Sequence, residues 1–293
     1  MKKVQFQGSW TPYLLLAPQM LIVAVFFLWP SGEALRGSFF IEDPFFGNAT
    51  FVGIDNYVDA VTASDYARSA WFTAGFTAVV ALSSIAIALA LAVSADNVLR
   101  GKGPYKTLLM WVYAIAPPVA GLLGVMFFDQ HIGPMTDLAA FFGWEMQVGV
   151  AYWDTAVAMT IVSAWKSIPI NFIFFLSGLQ GIPNSLKEAA KIDCRSAVRR
   201  FWTIVFPLLA PTSFFLLIIN ITYAFFETFG VIDVMLKGEP GNNPVTLVYK
   251  VYLDGFRGLD VGGSSAQSVI LMVAVFALTV LQFRFIERRV HYA

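Results

Sequence analysis

Two sets of polar side chains stand out in this sequence because of where they fall. The first lies inside otherwise apolar runs: Lys166 and Asn171 on either side of Pro169, then Asn220, Thr222, Tyr223 and Glu227. A charged or amide group in an apolar medium is costly unless it is paired or wetted, so such residues mark a pairing site or a path for a polar solute. Asn220, Tyr223 and Glu227 are spaced i, i+3 and i+7, as on one helical face. Lys166 is the one cation in the interior of these runs and the natural counter-charge for an anion, while Asn220 and Tyr223 can hydrogen-bond hydroxyls. Pairing of Lys166 with Glu227 would equally satisfy both, and spacing leaves the two readings open. Pro117 and Pro118 remove two backbone donors from the middle of another run, which predicts a kink or break. Freed backbone groups there can line a cavity; Gly121 and Gly124 nearby fit close helix packing equally well.

The second set is the stretch SLKEAAKIDCRSAVRRFWTIVFPLLAP, residues 185–211, which places seven charged side chains between two apolar runs. Pro183 breaks the chain and Ser185-x-x-Glu188 has the form of a capping box, so a helix is expected from Ser185. Leu186, Ala189, Ala190 and Asp193 then share a face, and its two alanines leave a shallow surface that another protein can approach closely. A break is expected at Asp193-Cys194-Arg195-Ser196. Ser196 would cap a second helix that carries Arg199 and Arg200 to water or headgroups and turns Phe201 and Ile204 inward. The residues alone fit a docking handle and a solvated connector about equally.

The elements that must position these groups follow from composition. Of 293 residues 58% are hydrophobic and 13% charged, where soluble domains carry about a quarter charged; the mean hydropathy is +0.69. The chain is therefore read as a membrane protein. A single cysteine, Cys194, excludes an intramolecular disulfide and a multi-cysteine metal site. Six runs, at residues 12–30, 71–95, 107–128, 155–179, 206–229 and 264–285, approach the roughly 20 residues a spanning helix needs. They lack the alternation of spanning strands. The predicted fold is thus an all-α polytopic bundle of six transmembrane helices. Lys2 and Lys3 precede the first run as in a signal peptide, but the run is too long and no small-x-small site follows, so it is expected to be retained.

Charge sorts along the chain. The N-terminus, the segments after the second and fourth runs and the C-terminus together hold thirteen Lys and Arg against four acids, whereas residues 129–154 hold no Lys or Arg. The positive-inside bias then places both termini and the 180–205 loop in the cytoplasm. Residues 31–70 and 230–263 are rich in Gly, Pro, Asp and aromatics; they are read mainly as connectors, with a docking face for an outside protein as the functional alternative.

Glu188-Ala189-Ala190-x-x-Asp193, followed by Phe201, Ile204, Pro207 and Pro211, resembles the EAA loop of ATP-binding cassette (ABC) importer permeases. The stretches WTPYLLLAPQMLIVAVFFLWPSGEALRGSFF, YAIAPPVAGLL, YAFFETFGVID and SSAQSVILM resemble a subtype of that family serving sn-glycerol-3-phosphate, within a wider group of sugar permeases. The resemblance implies the type I ABC importer permease fold. Residues 1–70 would form an N-terminal helix and periplasmic loop, and residues 71–293 a transmembrane domain whose core is five helices. It also implies that Glu188, Ala189, Ala190, Asp193, Arg199 and Arg200 couple the chain to an ATPase. The implied partners are a second permease in a heterodimer, two ATPase subunits that bind ATP and Mg, a periplasmic or lipid-anchored solute-binding protein and the lipids of a bacterial inner membrane; no nucleic acid and no cofactor in this chain are implied. The cargo would be sn-glycerol-3-phosphate or a glycerophosphodiester, with a mono- or oligosaccharide as the alternative. Pro117, Pro118, Lys166, Asn171, Asn220, Tyr223 and Glu227 are the candidates along its path.

One departure concerns the turn: Cys194 and Arg195 stand where the family usually has Gly and then often Ala. Gly takes positive φ freely and Cys does not, so the turn is either right-handed or mildly strained. No G-x-x-x-x-G-K-[ST] phosphate loop occurs, as Gly101-Lys102-Gly103 lacks the spacing. An ion-driven transporter would want inverted repeats or several intramembrane acids. An intramembrane enzyme would want a nucleophile and base at one depth, yet His131 and His291 fall outside the runs. Neither alternative finds support.

Overall fold

An apolar run in lipid has no water to pair its peptide groups, so it folds into the one element that satisfies them internally, the helix. The structure is a computed structural model that describes residues 10–42, 48–97, 102–194, 196–238 and 241–286. In chain order it forms α1 (Pro12–Gly37), β1 (Phe40–Glu42), β2 (Ala49–Phe51), α2 (Asp55–Thr62), α3 (Ser64–Asn97), α4 (Lys102–Ala114) and α5 (Pro117–Phe127). There follow α6 (Pro134–Phe141), α7 (Tyr152–Gly181), α8 (Asn184–Asp193), α9 (Ala197–Arg200), α10 (Ala210–Glu227), α11 (Phe229–Met235), α12 (Leu247–Tyr252) and α13 (Val261–Ile286). Among the described residues α1, α3, α7, α10 and α13 are each long and apolar enough to cross a membrane, and α4 with α5, taken as one span, makes a sixth. The all-α expectation gives way only at β1 and β2, an antiparallel pair in register Phe40 with Phe51 and Glu42 with Ala49.

The third apolar run is broken: α4 and α5 meet at 99°. Its cause is local. Pro117 and Pro118 open α5 at the first-turn positions where a missing N–H is tolerated. Ala116 before them takes the extended conformation, φ −62° and ψ 144°, that a following proline enforces. Two other prolines act more gently. Pro30 and Pro207 each follow a wide π-turn, at Ala24–Leu28 and Phe201–Val205 respectively. A widened turn gives the ring room against the preceding carbonyls, so the helix continues past each proline, to Gly37 and to Leu208 respectively.

The chain divides into two compact units, Met1–Ala63 with Val251–Val273, and Ser64–Lys250 with Ala274–Ala293. In the first, the buried Asn56 amide donates to the carbonyls of Ser38 (2.9 Å) and Phe40 (3.0 Å), fixing α2 beneath the strand pair. In the second, α3 lies along α7. Ala88, Ala92 and Ala95 of α3 make the shallow surface on which Phe172, Phe175, Leu176 and Leu179 of α7 pack, with Leu209 and Leu216 from the α10 side. The segment before α7 is held by Asp154, which accepts from the Trp144 indole (3.0 Å) and the Gln147 backbone N–H (2.7 Å).

Helix α5 packs against α11 through glycine, as one of the two sequence readings of Gly121 and Gly124 requires. A Cβ on Gly121 would sit 2.8 Å from the Val231 carbonyl oxygen, and one on Gly124 2.9 Å from Val162. Gly230 in turn faces the rings of Pro117 and Pro118, with Cβ clearances of 3.1–3.3 Å. The break is therefore buttressed by a close helix crossing. Gly121→Ala should push α5 and α11 apart and destabilise the bundle by about 1–3 kcal/mol, read as a lowered melting temperature of the detergent-solubilised protein.

Candidate functional site

The polar stretch after α7 folds into α8 and α9 with the expected break between them. Its start differs. Pro183 holds the N-cap position without a side-chain cap, so Ser185 already lies inside the first turn and the Ser185–Glu188 capping box is not formed. Ser185, Glu188, Ala189 and Ile192 are all exposed, and at i, i+3, i+4 and i+7 they make one stripe. Ile192 is 87% exposed, a bare aliphatic side chain in a connecting segment, while Ala190 is only 3% exposed and faces its own chain. The expected shared face of Ala189 and Ala190 is thus divided between outside and inside. Asp193 ends α8, but its side chain lies outside the described residues, as do Arg195 and the terminal charges Lys2, Lys3, Arg288 and Arg289.

The inner side of the segment is tied down. Lys187 pairs with Asp96 at the end of α3, 3.3 Å away. Arg200 is half-buried and donates to the Cys194 carbonyl (3.2 Å), whereas Arg199 is exposed. Ser196 caps α9, accepting from the Arg199 N–H at 3.5 Å. Cys194 has φ −135° and ψ 105°; that is ordinary extended backbone, so the turn needs no glycine and the strained alternative is not realised. Behind α8 lies a cavity of about 630 Å³ lined by Val93, Leu179, Ile182, Ala190, Phe201 and Ile204, among others.

The intramembrane candidates separate into two groups. Asn171 and Asn220 are fully buried and bond to each other: the Asn220 amide donates to Asn171 Oδ1 (2.6 Å) and the Asn171 amide to Asn220 Oδ1 (3.0 Å). Ser84 and Ser167 donate to the same Asn220 oxygen. The Asn220 amide also reaches the Leu216 carbonyl (2.7 Å). This network joins α3, α7 and α10, and the sequence reading missed its two serines. Ser167 and Asn171 stand four apart on one helix, the spacing that could have linked them.

Lys166, Tyr223 and Glu227 make the second group. The π-turn Tyr223–Glu227 widens α10 here. Asn220 and Tyr223 both turn toward α7, bonding to Asn171 and Ser163, while burial falls along the row, with Asn220 buried, Tyr223 half-buried and Glu227 exposed. Tyr223 donates to the carbonyl of Ser163 (3.3 Å), one turn before Lys166. Lys166 forms no ion pair with Glu227 among the described residues, although the carboxylate acts on it through space. Its amine instead donates to the Tyr113 carbonyl at 3.3 Å and lies 5.8 Å from the Tyr113 ring centroid. In a helix that carbonyl would pair with the N–H of residue 117, which is a proline. The structure therefore brings together Pro117, Tyr113 and Lys166, with Tyr223 one turn away.

Residues 99–292 match the model of a family described as binding-protein-dependent transport system inner membrane component. Across the full length of both chains, the sequence is 49% identical to the sn-glycerol-3-phosphate transport system permease protein UgpA of Brucella abortus and 47% identical to that of Rhizobium meliloti. The fold is similar to a chain in the crystal structure of a bacterial ABC transporter involved in the import of the acidic polysaccharide alginate. The TM-score is 0.76 over 95% of this chain and 96% of that one, and at 18% identity it is the fold that is shared.

The asparagine network generates a test of its own. Asn220→Leu leaves the Asn171 amide and two serine hydroxyls without their acceptor, which should cost about 1–3 kcal/mol. The double change Asn171→Leu with Asn220→Leu removes both partners and should cost less than the sum of the two single changes, measured by unfolding in mixed detergent.

Proposed function

Because the chain belongs to the inner-membrane components of binding-protein-dependent transport systems, as a permease subunit of an ABC importer, we propose that its cargo is sn-glycerol-3-phosphate or a glycerophosphodiester. The observation that carries this reading is the full-length likeness to permeases of that solute. A cation at mid-span, Lys166, agrees with an anionic cargo; a neutral sugar would not call for one. Lys166, Tyr223 and Glu227, beside the break at Pro117 and Pro118, are this chain's contribution to the path. Asn171 and Asn220, each already bonded to the other, hold the helices that frame it.

One such chain forms half of a pathway, so a second permease completes it as a heterodimer. Two ATPase subunits bind ATP and Mg, and a periplasmic or lipid-anchored binding protein delivers the solute. Both termini and α8 face the cytoplasm, as the distribution of Lys and Arg supports. Residues 71–293 act as the transmembrane domain, with 1–70 as the preceding helix and periplasmic loop. The stripe Ser185, Glu188, Ala189 and Ile192 seats on the ATPase. When the ATPase moves, Lys187 with Asp96 passes the displacement to α3, and Arg200 with Cys194 passes it toward α10.

Two outcomes check this. Ile192→Asp or Glu188→Lys should lower ATP-driven uptake by about tenfold or more, the scale set by losing one buried contact worth roughly 1.4 kcal/mol, with the amount of protein in the membrane unchanged. In the reconstituted assembly, phosphate esters of glycerol should stimulate ATP hydrolysis; stimulation by neutral sugars alone would overturn the cargo assignment.

A further inference from the structure

Pro117 and Pro118 withhold the N–H groups that would pair with the carbonyls of Tyr113 and Ala114. An unpaired carbonyl in an apolar bundle is costly, and at Tyr113 the Lys166 amine answers it, 3.3 Å away. The match is incomplete on both sides. An ammonium carries three donors, and Tyr113 is the only hydrogen-bond acceptor Lys166 has among the described residues. The contact is also longer than the roughly 2.7–3.2 Å usual for an N–H···O bond. Lys166 as a residue is only 8% exposed. Lys166 is held at the helix break but its charge is not neutralised there.

We propose that Lys166 is the anion-recognising group of this chain and that the Tyr113 carbonyl is its holding position when no cargo is bound. An arriving oxyanion, such as the phosphate of a phosphate ester, offers the amine a full negative charge in place of a carbonyl dipole. Transfer of the amine to that oxyanion leaves Tyr113 unpaired and loosens the α4–α5 break. The charge that selects the cargo thereby frees the broken helix, and cargo favours the loosened state because only that state gives it the amine. The recognition half of this inference rests on the anionic cargo proposed above; the holding contact does not.

The assembled transporter in lipid nanodiscs and proteoliposomes tests both halves. Lys166→Met keeps the length and removes charge and donor, while Lys166→Arg keeps both. Uptake of sn-glycerol-3-phosphate should show a KM raised at least about tenfold by Met and restored to within about threefold by Arg, as expected for loss and recovery of one charge-assisted contact. Spin labels at Leu108 and Leu122, exposed positions on α4 and α5, in a Cys194→Ser background, report the break directly. Without cargo the distance distribution should be narrow in the wild type and broad in Lys166→Met. Saturating sn-glycerol-3-phosphate should broaden the wild type toward the Met variant. Identical cargo-free distributions in the two proteins would overturn the holding contact, and an unchanged KM in Lys166→Met would overturn recognition. If the wild type neither transports nor responds to the ester, the cargo assignment falls alone, and the cargo-free comparison still decides the holding contact.

Discussion

The constraint on which this structure rests is that lipid supplies no hydrogen bonds. Every peptide group and polar side chain at depth needs a partner from the protein. Most of the chain meets this by being helical. The informative places are those where proline withdraws a donor, and the sequence meets each in a different way. At Pro30 and Pro207 a π-turn makes room and the helix runs on. At Pro117 and Pro118 two adjacent donors are missing, the helix turns by 99°, and a lysine from the neighbouring helix reaches one of the freed carbonyls. The glycines at 121 and 230 are needed because a bend of that size brings α5 close to α11.

The same accounting bears on the proposal that the segment between α7 and α10 acts as a lever. A handle that hangs loosely transmits nothing. Here the inward side is fixed by Lys187 with Asp96 and by Arg200 on the Cys194 carbonyl, with Ala190 buried beneath. The outward stripe keeps Glu188 and Ile192 free for another surface. An aliphatic side chain as exposed as Ile192 gains by burial roughly what one core side chain gains, about 1.5–3 kcal/mol. That gain is available only when a partner covers it. Rigidity behind and unsatisfied apolar area in front are what transmission of force requires.

Much of this was legible in the sequence, and the exceptions have identifiable causes. Long apolar runs and two adjacent prolines announce the spans and the break, because length and a missing N–H act locally. The break at Cys194 and the cap at Ser196 were legible for the same reason. The rotation of α8 was not: Ala189 and Ala190 are equally small, and only the tertiary contact of Ala190 decides which of them turns inward. The fall in burial along Asn220, Tyr223 and Glu227 was not legible either, since no residue in YAFFE signals the π-turn that lies there. The strand pair near Asn56 depends on carbonyls brought together from residues 38 and 40, and pattern alone carries no trace of it.

Polarity at depth is therefore a poor guide to a solute path unless satisfaction is counted as well. Asn171, Asn220, Ser84 and Ser167 are polar, buried and mutually bonded; moving any of them to a solute would break bonds already made, so they resist the exchange that transport needs. Lys166 has one long bond where it can make three, and Glu227 is exposed on a spanning helix with no hydrogen bond or ion pair among the described residues. These groups gain whenever something polar arrives. A carrier must bind its solute and also let it go, which favours partners that are partly satisfied at rest over those that are either fully bonded or fully bare. That criterion favours the proposal that recognition falls to Lys166 and the helix break that holds it, with the asparagine network nearby as part of the frame.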